Sequence, residues 1–196
     1  MNERVVVNIG SGHRDSERLP SFFGDWRQLR VDADPNVRPD VVADATDLSA
    51  LQNSMADAIW CAHCLEHLYV HDVPRALSEF RRLLKEDGFV AIMVPDLQTV
   101  AREIVADRMD RPLYESEAGP ITPHDIVFGY GPAIAEGQLF MAHRCGFTPT
   151  LLLNSLQAAG FPHIVVRRKP TWELLAVARA IPFLDEEARE TLVNAL

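Results

Sequence analysis

The sequence has few cysteines and no long apolar run, and both shortages exclude classes of protein. Cys61, Cys64 and Cys145 are the three cysteines in 196 residues, an odd number that argues against a disulfide framework. An apolar strand-like run begins by Val5 without a charged leader before it, and no apolar stretch approaches the roughly 20 residues that cross a bilayer. We therefore expect a cytoplasmic protein that has no membrane partner.

Positive charge is also scarce. The chain has 19 Lys and Arg against 28 Asp and Glu, a net charge of −9 at pH 7, and residues 167–169 are the single short basic run. Because this charge repels a phosphate backbone, we expect no nucleic-acid partner. The length and the 47% hydrophobic content suit one sizeable core, so residues 1–196 are predicted to form a single domain.

Continuous apolar runs indicate strands that are covered on both faces, as in a parallel sheet between helices. Val5–Ile9 and residues 89–94 are such runs. The other strand candidates are residues 28–32, 40–44, 58–61, His163–Lys169 and 172–178. The last two are joined by a short turn around Pro170 and are predicted to pair antiparallel.

Three segments between the strands have the apolar spacing and end signals of helices. They are residues 72–86 with Asp72 as cap, a helix through residue 105 capped by Asp96, and residues 148–160 with Pro149 at the first position. Strands and helices thus alternate along the chain. The predicted fold class is α/β, a single Rossmann-like doubly wound sheet, mostly parallel, with a C-terminal antiparallel hairpin strand.

Residues 107–146 match no helix or strand pattern. This stretch is rich in Pro and Gly, with aromatic residues between them. Long loops in compact domains are often binding segments, so we predict a lid or insertion over an acceptor site. A mobile surface excursion is the alternative.

The residues that follow the strands predict the ligand, because ligands of such sheets bind beyond the carboxyl ends of the strands. Gly10, Ser11 and Gly12 follow the first strand, and Asp32, 20 positions after Gly12, ends the second. A carboxylate there can accept hydrogen bonds from the two hydroxyls of a ribose. Asp15 occupies the third glycine position of the dinucleotide fingerprint and would repel a pyrophosphate. These residues favour a ligand that contains a nucleoside but no phosphate. S-adenosyl-L-methionine is the commonest cofactor of this kind.

Six segments in order then carry a family resemblance over almost the whole chain: NIGSG, VDADP, DVVADATDL, ADAIWCAHCLEHL, ALSEFRRLLKEDGFVAIMVPDL and GFTPTLLLNSLQAAGF. The chain resembles the class I S-adenosylmethionine-dependent methyltransferases, in particular the methyltransferase type 11 group. One departure is Arg14, where many members of the family have a third glycine.

The resemblance implies cofactor contacts at the ends of four strands. Gly10 and Gly12, with Ser11 between them, would lie beside the methionine part, and Asp32 would bind the ribose. Asp44 and the Ala45 amide would contact the adenine edge, and Ala62 and His63 would line the space beside the sulfonium. As alternatives, Asp32 and Asp44 are simple turn residues.

Methyl transfer needs a base only when the acceptor must lose a proton. His63 is the first candidate because the resemblance places it beside the methyl group, and His143 and His67 follow. For His67 the alternative is a structural hydrogen bond with Glu66.

The spacing of Cys61 and Cys64 is also that of zinc sites, with His67, His143 and Cys145 as completions. No second C-x-x-C exists, and apolar packing explains these cysteines better. We therefore predict no metal site.

The expected function is S-adenosylmethionine-dependent methyl transfer by in-line displacement to a small-molecule or sugar-containing acceptor. A homodimer is left open. The alternatives are a non-catalytic relative or partner subunit that binds the cofactor, and, less favoured, an NAD-dependent oxidoreductase.

Overall fold

The computed structural model describes residues 3–15, 19–116 and 118–196. Within these ranges the strands are β1 (Val5–Ile9), β2 (Arg27–Asp32), β3 (Val41–Val42), β4 (Ala56–Ala62), β5 (Leu84–Pro95), β6 (Tyr114–Ser116), β7 (Gly119–Ile121), β8 (His163–Lys169) and β9 (Glu173–Arg179). The α-helices in the same ranges are α1 (Val73–Leu83), α2 (Leu97–Val105), α3 (Pro123–Phe128), α4 (Gly131–Ala135), α5 (Pro149–Ala158) and α6 (Glu186–Ala195).

Seven strands form one sheet in the order β3-β2-β1-β4-β5-β9-β8. The first five run parallel, and β9 is antiparallel to both of its neighbours. This confirms the predicted mostly parallel, Rossmann-like sheet with an antiparallel hairpin. The strand order reverses between β1 and β4, so a crevice opens at their carboxyl ends, where such sheets bind ligands.

Apolar side chains cover both faces of the sheet. On one face, α1 and α5 contribute Phe80, Leu152 and other buried residues to a cluster that includes Ile59 and Ile92. The other face carries a second cluster in which Phe23, Trp60 and Phe89 are packed rings. Burial on both faces explains why β1 and residues 89–94 of β5 are continuous apolar runs rather than alternating ones.

Several predicted ends agree with the structure. The Asp96 carboxylate accepts hydrogen bonds from the Gln98 and Thr99 amides at the start of α2, and the Thr148 side chain accepts one from Leu151 at the start of α5. β1 and β8 have the predicted bounds. The capping side chains of Asp96 and Thr148 were thus reliable local signals, as was the apolar run of β1.

The prediction of a helix over residues 72–86 was right at its start, where Asp72 is the N-cap residue before Val73, and wrong at its end. α1 stops at Leu83 because Leu84 pairs with Ala56 and begins β5. Asp72 has helical backbone angles and, within the described residues, no capping side-chain bond. Strand pairing therefore overrides the helical spacing of the last residues, an effect that a local pattern does not contain.

Residues 107–146, in which residue 117 lies outside the described ranges, contain elements that the sequence did not predict. β6 and β7 form a small antiparallel hairpin, and a capping box of Thr122 and Asp125 begins α3. The backbone amide of Arg144 donates to the Glu66 carbonyl, 2.8 Å away. The segment is therefore joined by its backbone to the loop that follows β4.

No helix in the described part of the chain combines the length and the apolar character that crossing a membrane requires.

We predict that Phe80→Ala lowers the free energy of unfolding by about 3–5 kcal/mol, because the ring is fully buried between α1 and the sheet. Val105→Ala, at a side chain that is 88% exposed on α2, is the matched control and is expected to change stability by less than ~0.5 kcal/mol. Urea denaturation measures both variants. Equal effects would contradict the packing of α1 on the sheet.

Candidate functional site

The glycine loop after β1 has two residues in the left-handed region, Gly10 with φ 66° and Gly12 with φ 63°. The Gly10 amide donates to the Val31 carbonyl at 2.9 Å. A Cβ atom at position 10 would lie 2.7 Å from the Cβ of Cys64. Glycine is therefore needed at position 10 both for its φ angle and for the close approach of the loop that follows β4.

Asp32 closes β2 directly beside this loop. Its Oδ2 accepts a hydrogen bond from the Gly12 amide at 2.9 Å, and its Oδ1 accepts one from the Asp34 amide at 3.0 Å. An ionised carboxylate has about four lone-pair sites, so each oxygen can still accept a bond from a ligand hydroxyl. The predicted juxtaposition of Asp32 and Gly12 is present.

Arg30 is a member of this site that sequence reasoning missed. Its guanidinium Nη2 lies 3.1 Å from the Ser11 carbonyl oxygen, 3.3 Å from that of Gly12 and 2.9 Å from that of His13. The side chain is buried, which is rare for arginine unless it is paired. An arginine two positions before Asp32, inside a buried strand, was the available signal. The Arg30 guanidinium therefore holds the glycine loop through the carbonyl oxygens of residues 11–13. One of these residues, Ser11, is itself buried.

The other predicted cofactor contacts lie in loops around the same edge. The Oδ1 of Asp44 accepts bonds from the amide and the hydroxyl of Thr46, as the turn-residue alternative requires, and Ala45 beside it is buried. Arg14 donates to Asp40 and to the Arg38 carbonyl. The residue that replaces the family's third glycine thus binds the loop between β2 and β3.

His63 follows β4 and has both ring nitrogens next to carboxylates. Nδ1 lies 3.2 Å from Oε1 of Glu66, and Nε2 lies 2.8 Å from Oε1 of Glu173 on β9. Ionised carboxylates only accept hydrogen bonds, so both nitrogens must donate and the ring must be an imidazolium. Its backbone φ of 51° is unusual for a residue other than glycine.

The charges in this cluster stabilise each other. Desolvation alone would lower the pKa of His63, but the hydrogen bonds to Glu173 and Glu66 outweigh it and raise the pKa to about 10. Burial would raise the pKa of Glu66, yet the hydrogen bond and the charge of His63 lower it. The same balance lowers the pKa of Glu173.

His67 and His143 meet beside this cluster, with ring centroids 4.8 Å apart. His67 Nδ1 lies 3.2 Å from the Ala142 carbonyl oxygen, and His143 Nδ1 lies 2.7 Å from that of Ile126. Burial lowers the pKa of His67. The fold therefore brings together all three predicted histidines, two from the loop after β4 and one from the 107–146 segment.

All three cysteines lie in or against the apolar core. Cys61 is buried in the core, and Cys64 packs partly against it, as apolar packing predicts. The Cys145 thiol donates to the Leu65 carbonyl at 3.2 Å. Burial and the nearby Glu66 charge raise the pKa of this thiol to about 11, so it stays protonated.

Comparison with known proteins agrees with the resemblance predicted from the motifs. Residues 25–92 match the family described as a methyltransferase domain, the type 11 group. This span covers β2 to most of β5, including Asp32, Asp44 and the histidine-bearing loop after β4. No curated protein matches the chain.

Solved structures show the fold. A 1,6-didemethyltoxoflavin N1-methyltransferase from Burkholderia thailandensis, with bound 1,6-didemethyltoxoflavin and S-adenosylhomocysteine, superposes with a TM-score of 0.55 at 19% identity over 90% of this chain and 71% of that chain. A methyltransferase from Archaeoglobus fulgidus gives 0.59 at 15% identity, covering 90% and 86%. One from Methanosarcina mazei gives 0.58 at 14% identity, covering 93% and 95%. The chain has the class I methyltransferase fold.

We predict that His63 stays protonated through neutral pH, since its pKa is raised to about 10. Because the folded pKa of His63 exceeds the value of about 6.5 in the unfolded chain, its charge contributes stability that is lost as pH rises through about 10. The lowered pKa values of Glu66 and Glu173 limit the window on the acid side, where the stabilisation is lost as these carboxylates take up protons. NMR titration of the imidazole signals measures the pKa.

Glu173→Gln should move the His63 pKa downward, whereas the matched change Glu187→Gln on exposed α6 should leave it in place. A His63 pKa near 6.5 in the unaltered chain would contradict this assignment.

Proposed function

From a chain with the fold of the class I methyltransferases, we propose an enzyme that binds S-adenosyl-L-methionine and transfers its methyl group to a small-molecule or sugar-containing acceptor by in-line displacement. The single observation that supports this most is the pairing of the Asp32 carboxylate with the Gly12 amide at the reversal point of the sheet. A hydroxyl-accepting carboxylate beside a loop of bare backbone is what an adenosyl sulfonium requires.

In this proposal each predicted contact keeps its role. The Asp32 oxygens accept bonds from the ribose hydroxyls, and residues 10–12 pass beside the methionine part. The Asp44 carboxylate, whose Oδ1 also holds Thr46, and the Ala45 amide take the adenine edge. Half-buried Ala62 and exposed His63 line the space beside the sulfonium. Together these residues come from the ends of β1, β2 and β4 and from the loop after β3.

An NAD-dependent oxidoreductase receives less support. The dinucleotide fold has six parallel strands in the order 3-2-1-4-5-6. Here β9 enters the sheet antiparallel between β5 and β8, and the solved neighbours named above are methyltransferases.

Positioning supplies most of the proposed catalysis. The sulfonium is already a good leaving group, and aligned reactants can gain up to about 7–11 kcal/mol. His63 can accept a proton only after one of its carboxylate contacts breaks, since both ring nitrogens donate. His67 and His143 each direct Nδ1 at a carbonyl oxygen, so in the neutral imidazole Nε2 is the nitrogen that can accept a proton. We therefore place a general base, where the acceptor needs one, at His143 or His67, and an orienting cation at His63.

Exposed apolar side chains support a small organic acceptor. Tyr69 and Val70 after β4, and Phe128, Leu139 and Phe140 in the 107–146 segment, are each more than half exposed. The guanidinium of Arg144 lies 4.8 Å from the centre of the Tyr69 ring, which joins the two stretches. Contiguous exposed apolar patches often mark ligand-binding surfaces. We therefore place the acceptor beside these two stretches.

We predict that the chain binds S-adenosylhomocysteine and that Asp32→Ala weakens this binding at least ~100-fold, because two hydrogen bonds to a charged group are lost. Isothermal titration calorimetry measures the affinity, and circular dichroism confirms folding.

Asp34→Ala is the matched control, because the Asp34 carboxylate lies two residues away and bonds to Asn36 instead. The affinity of Asp34→Ala for S-adenosylhomocysteine should stay within about threefold of that of the unaltered chain. The corresponding change in binding free energy is well below the ~1.4 kcal/mol of a tenfold change. Unchanged affinity in Asp32→Ala, or binding of NADH in place of S-adenosylhomocysteine, would overturn the proposal.

A further inference from the structure

Two histidines and a buried glutamate converge where the 107–146 segment meets the loop after β4. One ligand atom from each of Glu66, His67 and His143 lies within 4.8 Å of the other two. Glu66 and His67 are neighbours in a short turn, and His143 is brought to them by backbone bonds from Arg144 and Cys145 to the Glu66 carbonyl. Main-chain hydrogen bonds therefore hold these three residues close together, so their proximity does not depend on flexible side chains alone.

The two imidazoles have the hydrogen-bonding pattern of metal ligands. Each uses Nδ1 to contact a backbone carbonyl, His67 that of Ala142 and His143 that of Ile126. A carbonyl can only accept, so Nδ1 carries a hydrogen, and in the neutral imidazole Nε2 then carries the lone pair. Metal-bound histidines almost always donate their other ring nitrogen to such a partner, which fixes the tautomer and the ring orientation.

The third residue, Glu66, has one carboxylate oxygen without a partner. Glu66 is 1% exposed, and its Oε1 bonds to His63. Its Oε2 is buried and has no hydrogen-bond partner among the described residues. An unsatisfied buried charge is costly, and nearby donors on His67 and His143 are already directed at carbonyls. A cation between the three side chains would satisfy this oxygen.

We propose that Glu66, His67 and His143 bind one divalent transition-metal ion, with Zn²⁺ as the best match to two imidazoles and one carboxylate. Tetrahedral zinc takes bonds of about 2.0–2.2 Å to such ligands, which sets the ligand atoms about 3.4 Å apart. The ligand atoms must therefore move closer together from at most 4.8 Å when the metal binds.

Three protein ligands leave one coordination position open, as in catalytic rather than structural zinc sites. Water or an oxygen of the acceptor would occupy it and lose a proton more readily there. With the metal bound, this activation would replace His67 and His143 as the general base, because their ring nitrogens would then be ligands. This last use rests on the proposed methyl transfer, whereas metal binding itself does not. The sequence pattern of Cys61 and Cys64 pointed to a different donor set, and His143 is distant in sequence from Glu66 and His67.

The test is zinc binding by the full chain, purified without a histidine tag and stripped with a chelator. Calorimetry should give about one Zn²⁺ per chain, and Co²⁺ substitution should give the intense visible bands of a tetrahedral site. His67→Ala and His143→Ala should each weaken zinc binding at least ~100-fold. Loss of a residue that only hydrogen-bonds to a metal ligand costs about 10–100-fold, so a larger loss indicates a direct ligand. Glu66→Gln, which keeps the shape of the side chain, should weaken it too.

His71→Ala is the matched control, because His71 lies in the same stretch but is 75% exposed and should leave binding unchanged. Circular dichroism and thermal unfolding in chelator show whether each variant folds, and His143→Gln replaces His143→Ala where the latter does not. Zinc binding by His67→Ala/His143→Ala as tight as that of the unaltered chain, or loss of binding in His71→Ala alone, would overturn the proposal. Failure of these zinc measurements with S-adenosylhomocysteine binding intact would remove the metal site and leave the proposed function in place.

Discussion

The site is organised around the hydrogen bond from the Gly12 amide to the Asp32 carboxylate. It joins the loop after β1 to the end of β2, the two places where a nucleoside ligand would have to be held at once. Arg30 grips the carbonyls of the same loop from the buried side. With one charged group on each side, the loop has a fixed shape before any ligand arrives, so binding need not bear the full entropy cost of ordering it.

The loop after β4 connects the glycine loop after β1 to the 107–146 segment. Cys64 packs against Gly10 so closely that no side chain fits there. Two residues further, Glu66 contacts His63 through its carboxylate and accepts bonds from the 107–146 segment through its carbonyl. The segment that would cover an acceptor therefore rests on the loop that borders the proposed cofactor. A change in the charge of the loop after β4 should therefore affect both the proposed cofactor site and the 107–146 segment.

Local signals in the sequence were enough for the sheet and for the first part of the site. Continuous apolar runs identified β1 and β5, and a carboxylate at the end of β2 identified Asp32, because these features follow from burial and strand direction at each position. What depends on distant pairing was missed. The end of α1 is set by Leu84 pairing with Ala56, and the role of Arg30 is set by carbonyls about 18 residues away.

The histidines show the same limit. Three of them could be named as candidates, but only the fold places His63 against Glu173 from β9, at a separation of 110 residues. That contact changes the chemistry expected of His63 from a proton acceptor to a held cation. In the same way, Glu66 was expected to bond to His67, whereas its carboxylate bonds to His63 and its second oxygen is left without a described partner.

The proposed site would hold a nucleoside ligand across residues 10–12 with its sugar on Asp32. The decisive measurement is a crystal structure of the chain grown with S-adenosylhomocysteine. We expect the ribose hydroxyls within hydrogen-bond distance of the Asp32 carboxylate and the amino-acid tail beside the glycine loop. A ligand bound elsewhere, with Asp32 contacting only Gly12 and Asp34, would contradict it.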